Sequence, residues 1–375
     1  MNYEIVTAGH ICLDIFPDFS KNREKKPGEI FSPGKLTELG NVAMHFGGLV
    51  ANTGIYLGKL GIPALLVGKI GNDMFGEALC QLLKNNDAPD EGIIIDHAGS
   101  TSYSMIFEIP GFDKITLHHQ GANSGFNAGD IDFDRFHGAK IFHFGYPNLM
   151  DRMCEANGKE LVTMLKKARE MGLWVTLDMA PIDPYSKSGQ IDWPAFLEEV
   201  MPHTDFFLPS FEELYFMLFK EEYLKITSNA PSDDFLDVAD LSVLSKMSDR
   251  IQAMGARALV VKCGKHGAYL KTFDTETLLK SSKGKFLNAE NPDNIELFQS
   301  SFQIDRVRKA TGCGDAFIAG FFASLLKGRD MEQSLKNGCA SGALHAMSEK
   351  GTAGMIPLEM VEQKINEGWK TIMNK

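Results

Sequence analysis

Ala310-Thr311-Gly312-Cys313-Gly314-Asp315-Ala316-Phe317 runs directly into Ile318-Ala319-Gly320-Phe321-Phe322-Ala323-Ser324-Leu325-Leu326. The second stretch is apolar throughout, which predicts a buried helix rather than an amphipathic surface one. The first predicts how that helix begins. Two glycines separated by one small residue let the backbone turn tightly and present consecutive N–H groups. A helix starting there adds unpaired amides and the positive end of its dipole, so the turn invites an anion. Asp315 stands against that invitation, because a carboxylate repels the anion the amides attract. Two readings are open at this point. Asp315 caps the helix, as Asp commonly does, or it acts on a proton while the amides hold developing phosphate charge.

Composition narrows the classes. The chain has 375 residues, enough for one large α/β domain or two modest ones, and 44% of them are hydrophobic, enough for a full core. A net charge of −11 with no basic run argues against nucleic acid or anionic membrane as partners, although a local cationic pocket for an anionic substrate is compatible with it. Cys12, Cys80, Cys154, Cys263, Cys313 and Cys339 lie far apart, with neither CxxC pairs nor Cys/His metal spacing. Free thiols in a reducing compartment are expected. Met1-Asn2-Tyr3-Glu4 does not open a signal peptide, and no apolar run reaches the roughly 20 residues that span a bilayer. A cytoplasmic protein is the expectation.

From the N-terminus, Ile5-Val6-Thr7-Ala8-Gly9 reads as a strand, with Asp14 near its carboxyl end and facing a ligand crevice. Residues 16–40, rich in Pro, Gly and charge, read as loop or short strands. Gly47-Gly48 then opens a helix that ends near Gly61, with Asn52 one turn in. The glycine pair would let a ligand touch backbone, and Asn52 offers both donor and acceptor to a polyol hydroxyl. Short β runs between Ile93 and His119, with a turn at Pro110-Gly111-Phe112-Asp113, suggest a hairpin insertion. That insertion could cover its own site as a flap or pair with a neighbour's in a homodimer. Strands at Lys140–Phe144, Leu173–Asp178, Asp205–Leu208 and Ala258–Lys262 alternate with helices, which predicts a parallel sheet covered on both faces. Lys220 to Leu241, charged and turn-rich, reads as an insertion or a long surface connection. His143 reads as a core or rim group rather than a catalyst.

The motifs exclude several nucleotide-binding designs. There is no GxxxxGK[ST], no HRD or DFG, no HExxH, and no early glycine fingerprint of a dinucleotide fold. What remains is an anion-binding helix start with a carboxylate, a Gly-Gly turn with Asn, and an early Asp. Phosphoryl transfer to a hydroxyl uses all three. Amides and magnesium stabilise the moving group, an Asp takes the hydroxyl proton, and Asp14 with Asn52 orient the acceptor.

Thr311-Gly312-Cys313-Gly314-Asp315-Ala316-Phe317 resembles the DTxGAGDxF signature of the ribokinase-like (PfkB) carbohydrate kinase family. Phe46-Gly47-Gly48 through Asn52, Leu60-Gly61 and Gly71-Asn72-Asp73-Met74-Phe75-Gly76 resemble its N-terminal signature. The resemblance implies a three-layer α/β/α sandwich: one domain over residues 1–375, a central mostly parallel sheet, and a small β-sheet lid from segments near 16–45 and 93–120. It implies an ATP-dependent sugar kinase using Mg2+, with Asp315 as base and the amides of Gly312, Cys313 and Gly314 as anion hole. Asp14, Gly47, Gly48 and Asn52 would bind the acceptor, and Glu213 would sit near the metal. Lys262, Gly264 and Gly267 would border the nucleotide phosphates, and Ala340, within the helical stretch Gly338–Leu344, the adenine. A nucleoside kinase of the same fold and a non-catalytic sugar or nucleotide binder are the alternatives.

Three departures stand out. Ser210 replaces the Asn of the family's NxxE. Lys309 stands where Asp often precedes the glycine turn, which argues against potassium activation and could supply the positive charge itself. Leu49 replaces the ribokinase-type Lys, which argues against ribose.

Overall fold

The computed structural model describes residues 2–112, 114–228, 234–274, 276, 278, 295–349 and 351–372. In chain order its strands are β1 (Ile5–Gly9), β2 (Cys12–Pro17), β3 (Val42–Gly47), β4 (Ala64–Gly71), β5 (Ile93–Asp96), β6 (Tyr103–Phe107) and β7 (Ile115–His119). β8 (Ile141–Gly145), β9 (Trp174–Asp178), β10 (Phe206–Phe207), β11 (Ala258–Lys262), β12 (Gly267–Thr272) and β13 (Glu296–Ser300) follow. Nine of them form one sheet in the order β13-β12-β11-β10-β9-β8-β1-β4-β5. Its pairs are parallel except at the β11–β12 and β12–β13 edge.

Strand alternation divides the core between the two faces of this sheet. Val6, Ala8, Leu65, Val67, Phe142, Phe144, Val175 and Leu177 pack on one side with the helices Lys159–Glu170, Trp193–Val200, Phe211–Leu218 and Leu244–Ala253. Ile5, Ala64, Leu66, Ile141 and Trp174 pack on the other with Gly48–Lys59, Cys313–Leu326 and Met331–Met347. The expected helix after the glycine turn is present, and every residue from Asp315 to Leu326 is buried. Phe322 lies under this sheet, its ring 5.3 Å from that of His143. His143 is itself fully buried, and that burial pushes its pKa down to about 3, so it stays a neutral core group.

The other four strands build a small sheet, β3-β2-β6-β7. Asp14 therefore does not end the first strand of the large sheet. The chain leaves that sheet after Gly9, crosses at His10 and Ile11, and places Asp14 in β2. Asn123 fixes the crossing by donating from Nδ2 to the Ile11 carbonyl at 2.8 Å. Register then sets one row of polar cross-strand neighbours, His45, Asp14, Ser104 and His118, and beside it on the opposite face the apolar row Met44, Ile15, Met105 and Leu117. Ile93–Asp96 belongs to the large sheet through β4, so the small sheet takes strands from the second insertion only from Tyr103 onward.

Two connections are more ordered than their composition predicts. Within residues 16–40, Pro27–Ile30 is a short helix, and Phe19, Ile30 and Ile109 form a separate apolar cluster. Lys220–Ser228 is a helix, and Tyr223 packs 4.8 Å from Phe235 inside the main core. Two well-spaced aromatics outweigh the surrounding charge there; residues 229–233 of that connection lie outside the described residues. Truncating Phe322 to Ala should cost about 3–5 kcal/mol of stability, read as a lower urea midpoint, because its neighbours cannot collapse into the gap.

Candidate active site

Asp315 sits in the first turn of Cys313–Leu326, and only 3% of its surface is exposed. Three side chains from two other places in the chain donate to it. Asn52 Nδ2 reaches Oδ2 at 3.1 Å, Thr53 Oγ1 reaches Oδ1 at 3.1 Å, and the Tyr146 hydroxyl reaches Oδ1 at 2.8 Å. An Asp acting only as an N-cap would accept from the helix's own amides. Here Gly312 occupies the N-cap position, and the carboxylate is held by side chains. Burial raises the Asp315 pKa, while the Tyr146 hydrogen bond and the Lys262 charge pull it back down. Oδ2 keeps acceptor capacity for a further hydroxyl.

The turn before this helix needs Gly312, whose φ is +91°. A side chain there would also press against Tyr56 and His345. His345 Nε2 lies 2.8 Å from the Thr311 carbonyl and so carries the proton, which leaves Nδ1 to accept from the Tyr56 hydroxyl at 2.9 Å. That relay pins the turn from beneath. The Cys313 amide donates to the Ala310 carbonyl at 3.3 Å, and its Sγ to the Lys309 carbonyl at 3.3 Å. The amides of Gly312 and Gly314 have no backbone acceptor among the described residues. They are the donors best placed for an anion.

Beside Gly314 lies a buried charge cluster that the large sheet assembles at the carboxyl ends of its strands. Lys262, the last residue of β11, meets Asp178, the last of β9, with Nζ 2.5 Å from Oδ1. The other Asp178 oxygen is buried without a partner among the described residues. Burial pushes Asp178 above the ordinary carboxylate range, with Lys262 opposing; burial also works against the charge on Lys262, but Asp178 and Glu213 outweigh it and raise its pKa. Glu213 is also buried. One of its oxygens accepts from the Ser210 amide at 2.7 Å, and Ser210 Oγ accepts from the Glu213 amide at 3.3 Å. Ser210 and Glu213 thus close a capping box on Phe211–Leu218.

Between the small sheet and the glycine turn lies a cleft of about 220 Å³ lined by Asp14, His45, Asn52, Lys309 and Thr311 among others. Asn52 joins this cleft to Asp315. Gly47 and Gly48 permit the close approach of its walls. A side chain on Gly47 would strike the Asp14 carboxylate, and Gly48, at φ +80°, lies against His10. Leu49 is fully buried against Gly145 and takes no part in the polar wall. Among the residues expected at the nucleotide phosphates, Lys262 comes close to the glycine turn. Gly267 is needed for another reason, since a side chain there would strike the Gln299 backbone in the sheet. Gly264 lies against Leu236, and Ala340 is wholly buried in the core.

Sequence reasoning missed Tyr146, Thr53 and Asp178. Thr53 follows Asn52 and was legible only as part of the same helix turn. Tyr146 carries a signal only in the backbone, a left-handed conformation at φ 63° that a bulky residue rarely adopts without compensation. Asp178 was visible as a strand end, but its pairing with Lys262 was not.

A buried carboxylate at an amide-rich helix start, opening through Asn52 onto a cleft beside the small sheet, equips a protein to move an anionic group onto a hydroxyl. The profile of the pfkB family carbohydrate kinases matches residues 5–358, and the chain belongs to that family. It is 24% identical over 368 residues to 5-dehydro-2-deoxygluconokinase of Geobacillus thermodenitrificans, covering 96% of this chain and 93% of that protein. Fructokinase-2 of Oryza sativa subsp. japonica is 23% identical over 373 residues, covering 96% and 93%. The ribokinase of Arabidopsis thaliana, solved with ribose and ATP, superimposes with a TM-score of 0.70 at 18% identity, covering 97% of this chain and 98% of that one. The sandwich with a second small sheet is therefore the ribokinase fold.

Replacing Tyr146 by Phe removes a hydrogen bond that favours ionised Asp315. If Asp315 is the group that must be deprotonated, the acid limb of the kcat/KM profile moves upward by roughly one pH unit, measured between pH 5 and 9.

Proposed function

We propose that the chain is an ATP-dependent kinase that phosphorylates a hydroxyl of a sugar or sugar derivative by direct transfer, residues 1–375 acting as one domain with the small sheet as lid. The observation that carries this is Asp315: a buried carboxylate oriented by Asn52, Thr53 and Tyr146 at a helix start with free amides. Asn52 and Asp14 hold acceptor hydroxyls in the cleft, which orients the reacting one toward Asp315. Asp315 accepts its proton as the oxygen attacks. The amides of Gly312 and Gly314, with that of Cys313 once freed from Ala310, stabilise charge on the transferring group. Lys262, beside Gly314, supplies a fixed positive charge to the same region.

Magnesium fits the carboxylates present. The unpartnered Asp178 oxygen and the second oxygen of Glu213 form a pair of hard donors, and Mg2+ commonly takes one or two carboxylates together with substrate phosphates. When bound it would neutralise phosphate charge. Lys309 lines the acceptor cleft, which favours a role toward substrate over that of a potassium substitute. The six cysteines are free, which supports a reducing, cytoplasmic setting. No helix among the described residues is long and apolar enough to cross a membrane.

On the lid, Met44 is 44% and Leu117 55% exposed. That apolar row supports pairing of two lids in a homodimer. Sedimentation should give a dimer mass for the native chain and a monomer for Leu117→Lys; a native monomer would defeat the pairing.

The central test is Asp315→Asn, which keeps the shape and removes the base. Turnover should fall about 100- to 10,000-fold while ATP and acceptor still bind. Turnover unchanged within a factor of two would refute the assignment. A sugar and nucleoside panel with ADP release as readout separates a carbohydrate kinase from the nucleoside-kinase alternative.

A further inference from the structure

Every other cation on the segment leading to the glycine turn is engaged. Arg306 and Arg308 both pair with Glu349. Lys309 pairs with no carboxylate among the described residues, is half-buried, and lines the cleft. A second cation reaches the same wall from the lid, for Lys114 Nζ donates to Thr311 Oγ1 at 2.9 Å, and Thr311 lines the cleft too. Asp14 is the sole carboxylate among the lining residues, and it is already engaged within the lid, where Cys12 Sγ donates to it at 3.4 Å. Burial keeps His45 neutral, with Lys309 acting in the same direction. The cleft is therefore lined by one ammonium, Lys309, and one carboxylate, Asp14, with the exposed Lys114 ammonium at its rim, within a chain whose net charge is −11.

Asp14 feels the charges of Lys309 and Lys114 across the cleft but forms no direct ion pair with Lys309 among the described residues, and a half-buried ammonium in that position favours a ligand that supplies an anion. We infer that the acceptor is an anionic carbohydrate, carrying a carboxylate or a phosphate besides its hydroxyls, and that Lys309, with Lys114 at the rim, reads that charge. This rests on the cleft being the acceptor site. It makes Lys309 a specificity residue rather than part of the transfer step. Asp14 then serves hydroxyls while Lys309 selects the anion, and the two remain apart enough to avoid pairing with each other.

The test is calorimetric binding of matched pairs to the full chain. A linear hexonate is set against the corresponding hexitol, and a ketohexose 6-phosphate against the ketohexose. At least one anionic member should bind about 10-fold or more tightly than its neutral partner, the size expected of a charge-assisted hydrogen bond. Which pair shows the preference distinguishes carboxylate from phosphate. In Lys309→Gln the ratio should collapse toward one, in Lys309→Arg most of it should survive, and Lys114→Gln should lower it by less. No anionic preference in the native chain overturns the proposal, as does a preference that Lys309→Gln leaves intact. A variant that weakens ATP by the lost factor while keeping the acceptor ratio also overturns it. ADP release is read separately. Anion selectivity without turnover upholds this inference and defeats the kinase reading, and turnover of neutral sugars without selectivity does the reverse.

Discussion

The interaction on which the rest of the structure depends is the burial of Asp315 at the start of a helix that has no solvent-facing side. A carboxylate there is costly by itself. It is tolerated because donors arrive from the helix Gly48–Lys59 and from the end of β8, two places far apart in the chain. Those donors can converge only if β1, β4 and β8 lie side by side, since β1 pairs with both of the others. The central sheet order and the state of the candidate base are thus one constraint seen at two scales.

The charge cluster next to it follows the same logic. In a parallel sheet the carboxyl ends of the strands point to one edge, and ligand sites gather there. Asp178 from β9 and Lys262 from β11 end side by side, with β10 between their strands. Lys262 is thus one cation set among several buried carboxylates, Asp178, Glu213 and Asp315. Neighbouring histidines obey burial instead. His10 lies 3.3 Å from His118 where the chain crosses to the small sheet, and both stay neutral because desolvation lowers their pKa.

Much of the fold was legible because its rules are local. Strand alternation, glycine-terminated helices and an all-apolar helix each follow from residues within one segment, and the glycine turn with its following helix announced an anion site. The errors have local causes as well. Asp14 reads as the end of the first strand because the apolar run continues through Ile11 and Leu13, and nothing in that run marks the passage from one sheet to another. Lys220–Ser228 reads as a surface connection because charge is frequent there, whereas the two aromatics that anchor the region meet only in three dimensions.

By itself the sequence determined the chemistry on offer: a glycine-rich helix start, a carboxylate within it, and an Asn one turn into an early helix. Spacing along the chain suffices for that, since backbone amides and side-chain types are fixed locally. Only the tertiary structure decided which groups hold Asp315, that Gly267 serves the sheet, and that Lys309 faces the cleft unpaired. Those are facts about distance between residues up to 263 positions apart, such as Asn52 and Asp315, which meet because their two helices pack together on one face of the sheet.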